Sequence, residues 1–146
     1  MNISLEISRK MVSAYHSVCK PFCKETGLSQ TAFDILMFLG NNPAYKTASE
    51  IVEIRHIKAN LVSVNVDRLV QDGYLTRHSV KGDRRKTELL CTEKAQPVIV
   101  QGQQLQSMFF ERLFANMEPE VRSAFSAALC TIDKNLSEIL QEDAKQ

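Results

Sequence analysis

Residues 47–92 read TASEIVEIRHIKANLVSVNVDRLVQDGYLTRHSVKGDRRKTELLCT. The run Thr47-Ala48-Ser49-Glu50 has capping-box spacing, in which a threonine hydroxyl and a glutamate carboxylate each satisfy an amide left free at a helix start. It predicts a short helix from about Ala48 to Ile54. After Arg55 and His56, Val62, Val66, Leu69 and Val70 recur at helical spacing over Lys58–Gln71, and Gly73 supplies a C-cap. Tyr74–Val80 and Thr87–Cys91 are rich in strand formers and flank the charged run Lys81-Gly82-Asp83-Arg84-Arg85-Lys86. Two helices across a tight turn, then a two-stranded hairpin with a basic tip, is the reading of this stretch.

Outward from it the chain is helical. Ile7, Met11, Tyr15, Val18 and Phe22 step by three and four, predicting an amphipathic first helix that Pro21 kinks or restarts and Gly27 ends. Ser29 is the N-cap of a second helix carrying Phe33, Leu36, Met37 and Leu39, stopped by Gly40-Asn41-Asn42-Pro43. Beyond Thr92, Val98, Leu105, Met108, Phe109 and Leu113 form a long stripe, with Pro97 implying an irregularity or a late start. Pro119 opens a last helix bearing Val121, Phe125, Ala128, Leu129, Ile132, Leu136, Ile139 and Leu140. Residues 142–146 are expected to fray.

The 146 residues suit a single domain, with 44% hydrophobic and 24% charged residues in the ordinary globular range. No apolar run is long enough to span a bilayer and the start lacks the character of a secretion signal, so a cytoplasmic protein with no membrane association is expected. Four cysteines are too sparse for a disulfide scaffold and are expected to be reduced. The net charge of +1 conceals an asymmetry. From Arg55 to Glu88 eight basic residues face four acidic ones, giving +4, which leaves −3 for the rest of the chain. A basic centre between acidic ends is the footprint of a nucleic-acid site confined to one part of a domain.

The element order is that of a winged helix-turn-helix. Its second helix fits the major groove, and its hairpin tip reaches the backbone or the adjacent minor groove. With Val62, Val66 and Leu69 facing inward, Asn60, Val64, Asp67 and Gln71 point outward and Ser63 and Arg68 lie on the flanks. Asn60 and Gln71 suit base edges, Val64 suits thymine methyls, and Lys58 and Arg68 suit phosphates. The fold class read here is mainly α with a small β hairpin (α+β).

Asp83-Arg84-Arg85, a strand, and then Cys91-Thr92-Glu93-Lys94-Ala95 resemble the wing signature of the MarR family of winged helix-turn-helix transcriptional regulators: Asp-x-Arg, a strand, then Leu-Thr-x-x-Gly. Gly27-Leu28-Ser29 resembles that family's Gly-Leu-Thr entry, and Val66-Asp67-Arg68-Leu69-Val70 with Gly73-Tyr74-Leu75 resembles the end of its recognition helix. The resemblance covers nearly the whole chain. It implies one domain over 1–146, with a DNA-binding lobe at about 29–92 and a helical dimerisation region at about 1–24 and 93–142. It further implies a homodimeric regulator, a repressor on a pseudo-palindromic operator in double-stranded DNA, released by a small ligand or an oxidant. Arg85 would be the wing arginine of the minor groove and Asp83 would steady the wing, with Lys81, Arg84 and Lys86 as neighbouring cations. Leu61 and Val64 stand where relatives often carry Thr and Arg, and Cys91 and Ala95 replace the common Leu and Gly. The apolar stripes of the terminal helices call independently for a partner.

For a small aromatic or phenolic effector the candidate lining is Tyr15, Phe22, Phe33, Met37, Met108 and Phe109, all of which equally suit plain core. His16, Cys19 and Cys23 follow a His-x-x-Cys-x-x-x-Cys spacing that could bind a metal or be oxidised, although Pro21 lies between the thiols and three ligands are few. The motifs imply no cofactor. No glycine-rich phosphate loop, Gly-x-Ser-x-Gly elbow or His-Glu-x-x-His pair occurs, so an enzyme is not the expectation. A winged helix that binds protein without DNA is the rival reading, because a fold does not fix its partner.

Overall fold

The computed structural model describes residues 5–146. The elements run α1 (Leu5–Thr26), α2 (Gln30–Asn41), α3 (Ala48–Arg55), α4 (Ala59–Gln71), β1 (Leu75–Val80), β2 (Asp83–Cys91), α5 (Ala95–Leu113) and α6 (Pro119–Ala144). They form two compact units, the first ending at Phe109 and the second running from Phe110 to Gln146.

The first unit is built around α2. Its stripe is wider than Phe33, Leu36, Met37 and Leu39, because Ala32, Ile35 and Phe38 are buried as well. A helix apolar nearly all round belongs inside a domain. Cys19 of α1, Ile51 of α3, Val62 and Leu69 of α4 and Leu75 of β1 complete the most deeply buried set. Ser29 caps α2 as its residue type predicts, its hydroxyl accepting from the Ala32 amide at 3.0 Å. Gly40 does not stop the helix. It is the last turn's point of contact with α5: a Cβ there would lie 2.7 Å from Ile99 Cγ2. The stop comes at Asn42, whose backbone amide and side-chain Nδ2 both donate to the Phe38 carbonyl.

Pro21 does not restart the first helix, since α1 is continuous through it. Proline removes the donor that the Ser17 carbonyl would use. Both residues are exposed, so water replaces the lost bond at small cost. The burial along α1 is also uneven: Ile7 and Met11 are exposed, while Cys19 and Cys23 are the buried positions. Pro97 is accommodated by a late start, α5 beginning at Ala95 after a turn in which the Ala95 amide donates to Thr92 O.

Gly102 is the tightest approach in the first unit, because a Cβ would overlap Met37 Sδ and press on the Phe33 ring, two side chains already buried. Gly102→Ala is expected to lower stability by about 2 kcal/mol, overpacking outweighing the gain in helix propensity. A melting curve checks this: Tm should fall by about 4–8 °C.

In the second unit α6 opens with Pro119 at its first turn. Phe114 and Phe125 meet edge to face with centroids 5.7 Å apart, and Arg122 lies over the Phe114 ring while pairing with Glu111 at 3.4 Å. No residue of α6 is buried. Val121, Phe125, Leu129, Ile132, Leu136, Ile139 and Leu140 are all exposed, a stripe at steps of three and four along the helix. The helix persists to Ala144, so fraying over 142–146 is not seen before its last two residues.

Candidate nucleic-acid interface

α3 and α4 are joined by three residues, and His56 makes the bend by adopting the left-handed region at φ 52°. Thr47 caps α3 by accepting from the Glu50 amide at 3.2 Å, while the Glu50 carboxylate reaches back to the Lys46 amide at 2.8 Å, one residue earlier than a standard capping box. These hydrogen bonds fix where α3 starts and hence how α4 leaves the turn.

α4 buries Val62, Val66 and Leu69 and exposes Asn60, Leu61, Ser63, Val64, Asp67, Arg68 and Gln71. Lys58 is exposed at its N-cap position without a side-chain cap bond. Asn60, Asp67 and Arg68 already have partners. Asn60 Oδ1 accepts from the Leu61 amide at 3.0 Å. Asp67 is held by Arg77 of β1, an ion pair that ties α4 to the hairpin. Arg68 is turned toward Asp72 at 3.8 Å. Asn65 donates from Nδ2 to the Leu61 carbonyl at 2.8 Å and accepts from the Ser29 hydroxyl at 2.7 Å, linking α4 to the N-cap of α2. Asn65 and Arg77 are the two structural anchors that the sequence reading passed over.

The hairpin departs from its expected form. β1 and β2 pair antiparallel, Leu75 opposite Cys91 and Ser79 opposite Thr87, but Val80 then faces Asp83. The connection is only Lys81-Gly82, with Gly82 at φ +93°, a conformation that glycine adopts without strain. Arg84, Arg85 and Lys86 therefore do not form the tip. They are the extra residues of an irregular step in β2, displaced from the ladder and exposed. Asp83 Oδ1 accepts from the Arg85 amide at 2.9 Å, closing this bulge. At the other end of the hairpin Thr92 Oγ1 donates to Gly73 O at 2.6 Å and Lys94 Nζ to Asp72 O at 2.6 Å, which anchors the base of the wing to the end of α4.

A MarR family model matches residues 26–86, which hold α2, α3, α4 and the hairpin as far as its bulge. Over these residues the chain is similar to the MarR family. Solved MarR structures share its fold. One is that of a MarR family transcriptional regulator from Listeria monocytogenes complexed with a 26mer DNA, at TM-score 0.84 and 18% identity over 94% of this chain and 91% of that one. A MarR protein from Peptoclostridium difficile aligns at TM-score 0.83 and 21% identity over 94% and 91%. A MarR transcriptional regulator from Methanosarcina mazei aligns at TM-score 0.74 and 20% identity over 92% and 93%.

The six residues considered as an effector lining differ in burial and packing. Phe33, Met37 and Phe109 are buried, and Tyr15 and Phe22 are half-buried. Phe22 packs edge-on against Phe33 at 5.6 Å and Tyr15 against Phe109 at 5.4 Å. Met108 is 65% exposed. Tyr15 also accepts from Gln106 Nε2 at 2.9 Å, and burial pushes its phenol above its ordinary range. Apart from Met108, these side chains are core by their packing.

The proposed metal or redox cluster is likewise not assembled. Among the described residues no group of three His, Cys, Asp or Glu side chains is placed to hold a metal ion. His16 is exposed while Cys19 is fully buried and Cys23 nearly so. Burial pushes the Cys19 thiol up and the Cys23 thiol up to about 11, with Cys19 and Asp34 adding to the latter. The thiolate, which is the reactive form, is therefore scarce at neutral pH. In an alkylation time course near neutral pH, Cys19 and Cys23 are expected to react only as the chain unfolds. Rapid labelling of either in the folded protein would contradict this account of their burial.

Among the described residues no helix is long and apolar enough to cross a membrane.

Proposed function

We propose that this protein is a DNA-binding transcriptional regulator of the MarR family that acts as a homodimer on a pseudo-palindromic operator. One observation carries the reading: the exposed face of α4 stands in the same unit as a hairpin whose irregular step extrudes Arg84, Arg85 and Lys86. A protein-binding winged helix has no need of three adjacent exposed cations, whereas the phosphate backbone and the narrow minor groove attract them. The DNA carried by the Listeria relative supports the same reading.

In this reading Asn60, Ser63 and Val64 face the major groove, Lys58 and Arg68 lie near phosphates, and Arg85 enters the minor groove with Lys81, Arg84 and Lys86 beside it. Asp83 holds the Arg85 backbone in place. The unburied stripe of α6 and the exposed Leu5, Ile7, Met11 and Val12 of α1 are covered by a second copy of the chain. Occupancy of the operator represses, and a small ligand ends it. The buried thiols of Cys19 and Cys23 are disfavoured as the target of an oxidant, whereas Cys130 is exposed.

Footprinting on DNA upstream of the protein's own gene tests the proposal. Two protected half-sites about one helical turn, or a multiple of it, apart are expected. A single unsymmetrical footprint would remove the dimer from the mechanism, and the absence of any footprint would favour the protein-binding alternative.

A further inference from the structure

The exposed face at the start of α4 combines committed polar groups with uncommitted apolar ones. In a helix-turn-helix the N-terminal residues of the second helix meet the base edges. Here Asn60 Oδ1 accepts from the Leu61 amide and so does not join Nδ2 in the two-pronged contact that adenine takes, the carboxamide of Asn65 is bonded to Leu61 O and Ser29, and the carboxylate of Asp67, the group that would accept from a cytosine amine, is held by Arg77. Gln71 lies at the far end of the helix, and a serine hydroxyl such as that of Ser63 serves any base. What the surface offers are Leu61, 45% exposed, and Val64, 64% exposed.

These two side chains are three residues apart and so share one face. Their separation along the axis is about 4.5 Å, against a base-pair step of about 3.4 Å, which places them over neighbouring steps. In the major groove the one apolar feature is the C5-methyl group of thymine. Lys58 at the helix entry and the cations of the wing supply the charge that brings such an apolar face to DNA.

We infer that Leu61 and Val64 are the specificity-determining residues of this protein and that they read thymine methyl groups at neighbouring positions of each half-site. The inference rests on the DNA-binding reading above and adds to it the chemistry by which sequence is recognised.

Uracil differs from thymine only in lacking this methyl, so the upstream DNA is prepared twice, once with thymine and once with uracil throughout. Removing a buried methyl is expected to weaken binding about fourfold at each position, and by about 250-fold when the four positions of the two half-sites act independently. The double variant Leu61→Ala with Val64→Ala should bind both DNAs alike, with affinity near that of the parent for uracil DNA. Both positions are exposed, so the variant's melting curve should match the parent's. Equal binding of the two DNAs by the parent overturns the inference and leaves the DNA-binding reading standing. Discrimination that survives in the double variant overturns the assignment to these two residues. Failure of the parent to bind thymine DNA at all overturns both readings.

Discussion

Replacing Leu129 and Ile132 of α6 by glutamate is expected to convert the protein from dimer to monomer and to weaken operator binding by about 10²- to 10⁴-fold. Both side chains are already exposed within the chain, so the substitution removes nothing from either unit's own core. Against a second copy it is severe, because each copy would bury two carboxylates without partners where an apolar stripe should meet its counterpart. Binding then falls because two half-sites are no longer engaged as one event, and the advantage of linking two modest binding modules is of this size. Light scattering reads the mass and anisotropy titration reads the affinity. A variant that stays dimeric would place the interface elsewhere. A monomeric variant with unchanged affinity would show that the second copy does not serve DNA binding.

The second large effect belongs to the wing. Alanine at Arg84, Arg85 and Lys86 together is expected to lower affinity by about two to three orders of magnitude near physiological salt. It should also reduce the slope of log K against log salt by about 0.9 for each phosphate that the wing no longer neutralises. The loss should be similar on operator and unrelated DNA, since backbone interactions position the protein but carry no sequence information. Asp83→Ala should reproduce part of this effect without removing any cation, because the carboxylate closes the bulge that presents Arg85. These substitutions lie at exposed or half-buried positions and should leave the melting temperature nearly unchanged.

Much of the lobe was legible in the sequence because its signals are local. Thr47 and Ser29 cap helices by hydrogen bonds that depend on residues within three or four positions, and the inward row Val62, Val66, Leu69 follows from helical spacing alone. Residues whose role is set by a distant neighbour were read less well. Gly40 belongs to the run that does stop α2, but its approach to Ile99, nearly sixty residues away, has no local signal. Arg77 counts only as charge without its partner Asp67, and Asn65, which is not singled out in the sequence, has its role set by Ser29. The basic run 81–86 gave the charge correctly and the shape incorrectly, because a strand register is settled by pairing across the hairpin. The aromatic and methionine residues weighed as an effector lining divide into core and surface by packing partners that periodicity does not reveal.

The near-neutral total charge has a bearing on affinity as well. A chain with +1 overall gains little non-specific attraction, so the proposed function requires a few placed cations and two half-sites held at fixed spacing. The most direct test of the central claim is therefore a titration of the protein against DNA from upstream of its own gene over a series of salt concentrations. Saturable binding in the range of about 10⁻⁸ to 10⁻¹¹ M at physiological salt, weakening linearly in log salt and with a shallower slope for Arg85→Ala, is the predicted result. No binding at any salt concentration, or binding whose slope Arg85→Ala leaves unchanged, would contradict it.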